Sequence, residues 1–335
     1  MRKIKIYGVP WHTSHQRELC NLPFVEEYNL QLNPYRYWGD VQRPMPENMK
    51  YVTHYEKGYY DLAILHIDQQ CIYSPEEGER ISKGRLYQEL NELITDIPKI
   101  VINHMTPFHD KYDTDEVIKR IKEMVGDNFM VVNSYEASKQ WGWGYTIIHG
   151  LNPDDWWDLP KEPRCIVSLS PRGMERAYRR IFLETTAKIL RQKRVPFTWV
   201  NVDKNFVTFD EYRDYLGRSL VYFNPTWQSP MPRARTEAMF SGCCVVTTPY
   251  QDADTFIKNG INGFLTSEKR IIDPRIMDNP QYTAELIERL VLKEPELAIK
   301  IGQEGKKTAL TKFNQSVFHS QWIKFIIEVV KIPLD

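Results

Sequence analysis

Short apolar runs alternate with longer stretches of helical spacing through the first half of the chain. Four runs have the composition of buried parallel strands, at residues 3–7, 61–67, 99–102 and 129–132. Residues 84–93 and 113–125 have helical spacing, and Asp113 or Thr114 can cap the second of these helices. Residues 28–60 are rich in aromatic residues and proline and show no clear period, so we expect loops or short strands there.

The alternation continues in the second half, after a linker at residues 155–163. Further strands are predicted at residues 165–169, 197–202, 220–223 and 243–248. A long basic helix is predicted from 170 to 194, and a helical stripe of apolar residues begins near Phe313. Strands that alternate with helices predict an α/β chain with two doubly wound parallel sheets. We place the domains at 1–155 and 156–312, with a terminal helix at 313–335.

The segment 219–265 has the most specific pattern in the chain. It contains a strand, a loop rich in proline, a helix at 233–241, a second strand and a tight turn. Gly242 follows the helix where a C′ glycine is expected. In such a crossover unit, ligands bind to the loop at the carboxyl edge of the sheet.

That loop has residues suited to a diphosphate. A helix that begins near Pro232 directs free backbone N–H groups and a partial positive charge into the loop. Arg233 and Arg235 add cationic donors that match phosphate oxygens. Glu237, one turn into the helix, can accept hydrogen bonds from the diol of a ribose. The alternative is a solvated helix face that carries ordinary charges.

Composition narrows the class of protein only modestly. A chain of 335 residues suits two domains, and 44 basic residues balance 44 acidic ones. The protein therefore has no global field that attracts nucleic acid or a membrane. Acidic residues exceed basic ones in the first domain and the reverse holds in the second, which fits an anionic ligand there.

The cellular location of the protein and its metal content are predicted from sequence features that are missing. No segment is apolar for long enough to span a bilayer, and the N-terminus is too polar for a signal peptide. The five cysteines show no paired metal spacing, and Cys243 and Cys244 lie in a predicted buried strand. We expect a reduced, cytoplasmic protein with neither a metal site nor a bound cofactor.

The segment 219–265 resembles the donor-site region of GT-B glycosyltransferases, most of all the retaining enzymes of glycosyltransferase family four. That family has a Glu-Ala-Met helix, a small residue before glycine, a Val-Val strand and an Asn-Gly-x-x-Gly turn. The matching residues are 237–239, 241–242, 245–247 and 259–264. The sequence departs from the family at Ser229, where a glutamate usually contacts the donor sugar.

The resemblance implies a GT-B fold, with two Rossmann-like domains facing a central cleft and a terminal helix that crosses back to the first domain. It also implies that Glu237 binds the ribose of a nucleotide sugar. The full set of residues predicted to bind this co-substrate is Glu237, Thr236, Arg235, Arg233, Met231, Ser229, Thr13 and Ser14. In the family, the loop that contains Thr13 and Ser14 faces the donor phosphates and the acceptor.

The catalytic candidates also depend on the resemblance. Arg172 matches a family arginine that stabilises the leaving diphosphate, and Arg176 is the nearest candidate for a family lysine. A solvated helix charge is the alternative for Arg176, because basic residues surround it. His104 follows a strand at whose end family members often have a histidine that contacts the donor sugar. Asp68 could orient the acceptor or act as a base, or it could only cap a loop.

The predicted function is transfer of a sugar from a nucleotide-sugar donor to a hydroxyl acceptor, with retention and without a metal. An epimerase or hydrolase acting on the nucleotide sugar is one alternative, and a non-catalytic nucleotide-sugar-binding protein is another. The acceptor is open: a glycan, a lipid-linked sugar, a small molecule or a hydroxymethylated base in DNA. We also consider two sugar-facing platforms, Trp11 and the turn at 141–144.

Overall fold

A computed structural model describes residues 1–32, 38–72, 81–109, 111–168, 180–226, 229–267 and 279–334. The chain divides into two compact units. Unit 1 is Met1–His149 together with the chain from Ser316 onward, and unit 2 is Gly150–Gln315. Within the described residues, no helix combines the length and the hydropathy that a membrane span requires.

Unit 1 contains a seven-stranded sheet in which every pair of neighbouring strands is parallel. The strands are β1 (Ile4–Gly8), β2 (Val25–Gln31), β3 (Met49–Val52), β4 (Leu62–Ile67), β5 (Lys99–Asn103), β6 (Phe129–Val132) and β7 (Tyr145–Thr146). Their order in the sheet is β3-β2-β1-β4-β5-β6-β7. The helices are Thr13–Cys20, Ile81–Leu93, Thr114–Val125, Tyr135–Trp141 and Gln315–Phe325, the last of which continues into a π-helical turn at Ile326–Val330.

Alternate residues of these strands enter two separate hydrophobic cores, as the period of a strand requires. In β4, Leu62 and Ile64 belong to one core, whereas Ala63 and Leu65 belong to the other. The first core includes the C-terminal helix through a buried apolar stripe: Phe318, Trp322, Phe325 and Ile326. The apolar spacing of the tail thus buries this helix within unit 1.

Unit 2 contains a five-stranded parallel sheet. Its strands are β8 (Glu162–Ser168), β9 (Phe197–Val200), β10 (Ser219–Asn224), β11 (Cys244–Thr247) and β12 (Phe264–Leu265), in the order β12-β11-β10-β8-β9. Its described helices are Arg180–Gln192, Val202–Asn205, Phe209–Arg218, Arg233–Phe240, Ala253–Phe256, Pro280–Glu288 and Pro295–Lys312. Cys243 and Cys244 are buried free thiols, as predicted, but only Cys244 belongs to a strand, and Cys243 directly precedes β11.

A polar cluster secures the end of the helix Arg233–Phe240. Gly242 adopts a φ of 69°, and a Cβ atom there would lie 2.4 Å from Oδ1 of Asp158. Asp158 is fixed in turn by an ion pair with Lys161, 3.1 Å away, and by hydrogen bonds from Gln303 and Lys306. Only glycine combines this backbone conformation with this proximity, so the predicted C′ glycine is confirmed.

The order of strands locates a switch point in each sheet. In unit 1, connections leave β1 and β4 in opposite directions along the sheet; in unit 2 the same holds for β8 and β10. Ligands of doubly wound sheets bind at the carboxyl ends of the strands that flank such a point. The segments to consider are therefore those that follow β1 and β4 in unit 1, and β8 and β10 in unit 2.

Candidate functional site

In unit 2, the loop after β10 leads into the helix Arg233–Phe240, which carries the predicted ribose carboxylate. Pro232 occupies the N-cap position rather than the first helical position, with a φ of −67°. Glu237 is one turn further on and only 5% exposed. A buried carboxylate is costly unless hydrogen bonds satisfy it.

Tyr212 supplies such a hydrogen bond. Its hydroxyl donates to Oε2 of Glu237 at 2.9 Å, and both side chains are buried. Tyr212 belongs to the helix Phe209–Arg218, which precedes β10. Sequence reasoning missed this residue, because 25 positions separate the partners and no local pattern links them.

The two arginines of the helix differ in their surroundings. Arg235 is 1% exposed, and its Nη2 lies 3.2 Å from the sulfur of Met231, whereas Arg233 is only partly buried. A solvated helix charge is therefore the wrong description of Arg235. Met231 and Thr236, which are also predicted to bind the donor, are close to Arg235 in the sequence, and both are buried.

Hydroxyl groups connect the start of this loop to the strand ends. The Thr226 hydroxyl donates to the backbone oxygen of Ser229 at 3.3 Å, and the Thr248 hydroxyl donates to the backbone oxygen of Thr226. The Thr247 hydroxyl donates to the Asn224 side chain at 3.3 Å. These bonds link Asn224 and Thr226 to the end of β11 and Thr226 to Ser229, which is partly exposed.

The predicted diphosphate cations, Arg172 and Arg176, lie outside the described residues. They follow β8, whose last residue is Ser168, so in the chain they belong to the connection that leaves the switch point of unit 2. Their roles remain predictions.

In unit 1, a cluster of imidazoles lies at the switch point. His66 is near the end of β4 and His104 follows β5, and a hydrogen bond of 3.0 Å joins Nδ1 of His66 to Nε2 of His104. The two rings stack with centroids 5.2 Å apart. His12 and His15, from the segment after β1, meet His104 edge-on at 4.8 and 5.3 Å.

The cluster keeps His104 neutral. Burial, together with the neighbouring His12, His66, His15 and Lys83, lowers the pKa of His104 well below its ordinary value. A neutral imidazole can both accept and donate a hydrogen bond. His104 is thus able to hold a hydroxyl group by a hydrogen bond, and its lowered pKa makes it a weak base. Sequence analysis named His104 as a site residue; it placed His66 at the end of the neighbouring strand, on the same edge, but did not name it as a site residue.

Trp11 stacks on the same rings, and Asp68 is linked to Trp11 through Lys83. Asp68 forms an ion pair with Lys83 and accepts a hydrogen bond of 2.8 Å from the backbone N–H of Gln70. The Lys83 ammonium lies 4.5 Å from the centroid of the Trp11 ring, which stacks on His66 at 5.8 Å. Because Trp11 is only 8% exposed, little of its surface remains for a sugar.

The other polar candidates of unit 1 are close to this cluster in the chain. Thr13 and Ser14 open the helix Thr13–Cys20, and both are partly exposed. The Thr13 hydroxyl accepts a hydrogen bond of 3.2 Å from the backbone N–H of Gly39. In the turn at 141–144, Trp141 is a core residue, 1% exposed, whose indole N–H donates to the backbone oxygen of Met105.

Among the described residues, no group of three or more His, Cys, Asp or Glu side chains has the geometry to hold a metal ion. In the imidazole cluster of unit 1, the rings contact one another.

This chain resembles known proteins in structure but matches none of the family models or curated proteins in sequence. No known family model matches the sequence, and no curated protein matches it either. HepE of Anabaena in complex with UDP-glucose matches with a TM-score of 0.63 at 14% identity, covering 97% of this chain and 100% of HepE. A sucrose-phosphate synthase of Thermosynechococcus elongatus matches with a TM-score of 0.64 at 12% identity, covering 98% of this chain and 99% of the synthase.

A glycosyltransferase from Rickettsia africae gives a similar result, with a TM-score of 0.61 at 13% identity and coverage of 99% and 100%. At such low identities the likeness shows the fold. The chain has the GT-B fold of these proteins, which confirms the prediction of two Rossmann-like parallel-sheet domains. The narrower resemblance to family four stays a prediction.

Proposed function

We propose that this chain is a glycosyltransferase that moves a sugar from a nucleotide-diphosphate donor to a hydroxyl acceptor. The observation that carries the proposal is Glu237, a buried carboxylate at the carboxyl edge of the unit 2 sheet, within the motif that resembles a donor site. The likeness to HepE, whose structure contains UDP-glucose, extends over 97% of the chain and supports the same function.

In this proposal unit 2 binds the nucleotide. Glu237 accepts hydrogen bonds from the ribose hydroxyls, and Arg233 and Arg235 lie at the start of the same helix, whose N-terminus favours phosphate. Thr236, Met231 and Ser229 complete the donor side. Arg172 and Arg176 stabilise the charge that develops on the leaving diphosphate, and each such contact lowers the barrier by about 3 kcal/mol.

In this proposal unit 1 binds hydroxyl groups of the sugar or of the acceptor. His104 is neutral at pH 7 and can accept a hydrogen bond from a sugar or acceptor hydroxyl. Thr13 and Ser14 provide further hydroxyl groups on the segment after β1. Asp68, which is paired with Lys83, supports the imidazole cluster. We further propose, from the resemblance to family four, that the reaction retains the anomeric configuration and needs no metal.

The first test is calorimetric titration with UDP, GDP, ADP and dTDP and with their sugars. We expect one nucleotide to bind, and Glu237→Gln to weaken it by about 10- to 100-fold, the value of a hydrogen bond to a charged group. Glu285→Gln, another helix glutamate of unit 2, is the matched control and should change nothing. Absence of nucleotide binding by the folded wild type would overturn the proposal.

A second function is favoured by one specific residue. Ser229 replaces the glutamate that contacts the donor sugar in the family that this chain resembles. A protein that binds a nucleotide sugar without transferring the sugar would tolerate that replacement. Donor consumption that requires an acceptor identifies a transferase, consumption without an acceptor identifies a hydrolase or epimerase, and binding without consumption identifies the non-catalytic protein. Retention is checked by the anomeric configuration of the product, and metal independence by unchanged turnover in a chelator.

A further inference from the structure

The Tyr212–Glu237 hydrogen bond joins two helices of unit 2 at the predicted ribose site. The donor–acceptor distance is 2.9 Å, and the two residues are 2% and 5% exposed. A hydrogen bond to a carboxylate in a buried environment is among the stronger ones in proteins. Its effect is to hold one oxygen of Glu237 at a defined position.

Tyr212 is itself held rigidly. Its helix begins with a capping box, in which the Thr208 hydroxyl accepts from the backbone N–H of Glu211 at 3.2 Å while the Glu211 carboxylate accepts from the backbone N–H of Thr208. The ring of Tyr212 contacts two aromatic rings, that of Trp156 edge-on at 6.2 Å and that of Phe206 at 5.5 Å. Such contacts fix the ring, so its hydroxyl is a stationary donor.

A carboxylate that already accepts one hydrogen bond can still bind a diol. Its two oxygens offer about four acceptor positions. The hydrogen bond from Tyr212 to Oε2 uses one of these positions, so it is compatible with a diol bound to the same carboxylate. Because Glu237 is already ordered, its side chain loses little rotamer entropy when a ligand binds. The affinity for the ligand is therefore higher than it would be for a mobile carboxylate.

We propose that Tyr212 is a positioning residue: it orients Glu237 toward the ribose diol and so makes the site selective for ribonucleotides. The inference rests on the proposed function, because it requires Glu237 to bind ribose. It goes beyond that function by naming the residue that sets the preference and the chemical feature, a vicinal diol, that the preference detects.

The test compares nucleotides with and without the diol. UDP, GDP and ADP are each titrated beside their 2′,3′-dideoxy forms, on the wild type, Tyr212→Phe and Tyr87→Phe. We expect the wild type to prefer the ribonucleotide, and Tyr212→Phe to weaken that ribonucleotide about tenfold, as for the loss of a charged hydrogen bond. Dideoxynucleotide affinity should stay within about twofold, since the missing hydroxyls are those that Glu237 binds.

Tyr87→Phe is the matched control, because the Tyr87 hydroxyl is also buried and donates to the backbone oxygen of Met124 in unit 1. It should leave the ribose preference unchanged. If Tyr212→Phe keeps the wild-type preference, or weakens both nucleotides equally, the positioning role is wrong. Phenylalanine fills the same space as tyrosine, and thermal unfolding checks that each variant is folded.

Glu237→Gln separates this inference from the function on which it rests. If Glu237→Gln leaves the ribose preference intact, the ribose site itself is misplaced, whatever Tyr212 does. If Glu237→Gln removes the preference and Tyr212→Phe does not, only the role of Tyr212 fails. In the double variant, Tyr212→Phe should have no further effect on the preference, because it acts through the carboxylate.

Discussion

The two sheet edges of this molecule use different chemistry. In unit 2, the candidate site is a helix with a carboxylate and a guanidinium, Glu237 and Arg235, both buried. In unit 1, it is a cluster of imidazoles centred on His104, whose pKa is lowered by burial and by the neighbouring histidines and Lys83. The first edge thus uses a carboxylate and a guanidinium, whereas the second uses an imidazole that its surroundings keep neutral.

This difference suits two tasks in one transfer reaction. A diphosphate is always anionic and is matched by fixed positive groups and a helix N-terminus. A hydroxyl group is neutral and is matched by a neutral imidazole that can exchange hydrogen bonds with it. The proposed function places the nucleotide at unit 2 and the hydroxyl groups at unit 1, and each prediction below challenges one side of this contrast.

The largest expected effect concerns how rigidly each unit holds its helices. Gly142 in unit 1 and Gly242 in unit 2 each follow a helix, with φ values of 70° and 69°. A Cβ at Gly142 meets nothing within 4 Å, whereas a Cβ at Gly242 meets the Asp158 carboxylate. In urea unfolding, Gly142→Ala should lower the free energy of unfolding by about 1 kcal/mol through backbone strain. Gly242→Ala should lower it by about 3 kcal/mol, because a steric clash is added to the same strain.

Gly142→Ala is thus the internal control for left-handed backbone strain. Equal costs for the two variants would mean that Asp158 moves aside despite Lys161, Gln303 and Lys306. The helix that carries Glu237 would then not be held as firmly as the contacts indicate, and the contrast with unit 1 would weaken.

The fold was largely predictable because its signals are local. Apolar strands such as β4 and β10, and the glycine after the helix Arg233–Phe240, occur in short continuous patterns. β3 and most of β2 lie in the region 28–60, which shows no clear period, and β2 itself mixes acidic and amide residues with apolar ones. β2 and the edge strand β3 are defined by the pairing of β2 with β1 and with β3, which the sequence does not display.

The candidate site was predictable only where its residues are neighbours in sequence. Glu237 and Arg235 belong to one motif, so the residues around them could be named. Tyr212 is 25 positions from Glu237, and His66 is 38 positions from His104. Tertiary packing alone brings these partners together. A strand-end position for His66 was the one signal that could have suggested its role.

The next effect in size tests the neutral state of His104. Its folded pKa is lowered, so below the ordinary value of 6.5 the unfolded chain binds a proton that the folded protein does not. Stability is therefore lost as pH falls through 6.5, by up to about 1.4 kcal/mol per pH unit for one such group. Between pH 7.5 and 5.5, we expect His104→Gln to lose about 1 kcal/mol less unfolding free energy than the wild type.

His54→Gln, which removes an exposed imidazole of the same unit, controls for the loss of one histidine. Urea unfolding at the two pH values provides the measurement. A wild type and a His104→Gln variant with parallel pH dependence would show that His104 takes up its proton in the folded state. Unit 1 would then carry positive charge near neutral pH, and the contrast between the two edges would be lost.

The smallest expected effect distinguishes support from chemistry at Asp68. Its ion pair with Lys83 is partly buried, with side chains 18% and 12% exposed, and a double-mutant cycle of Asp68→Asn and Lys83→Met should give a coupling of about 1 kcal/mol in unfolding free energy. If the pair only holds Lys83 over Trp11 and the histidines, both single variants and the double variant lower turnover by a similar, modest factor. If Asp68→Asn alone abolishes turnover, the carboxylate is the base. Unit 1 would then depend on a fixed charge, as unit 2 does, and His104 would be left with a binding role.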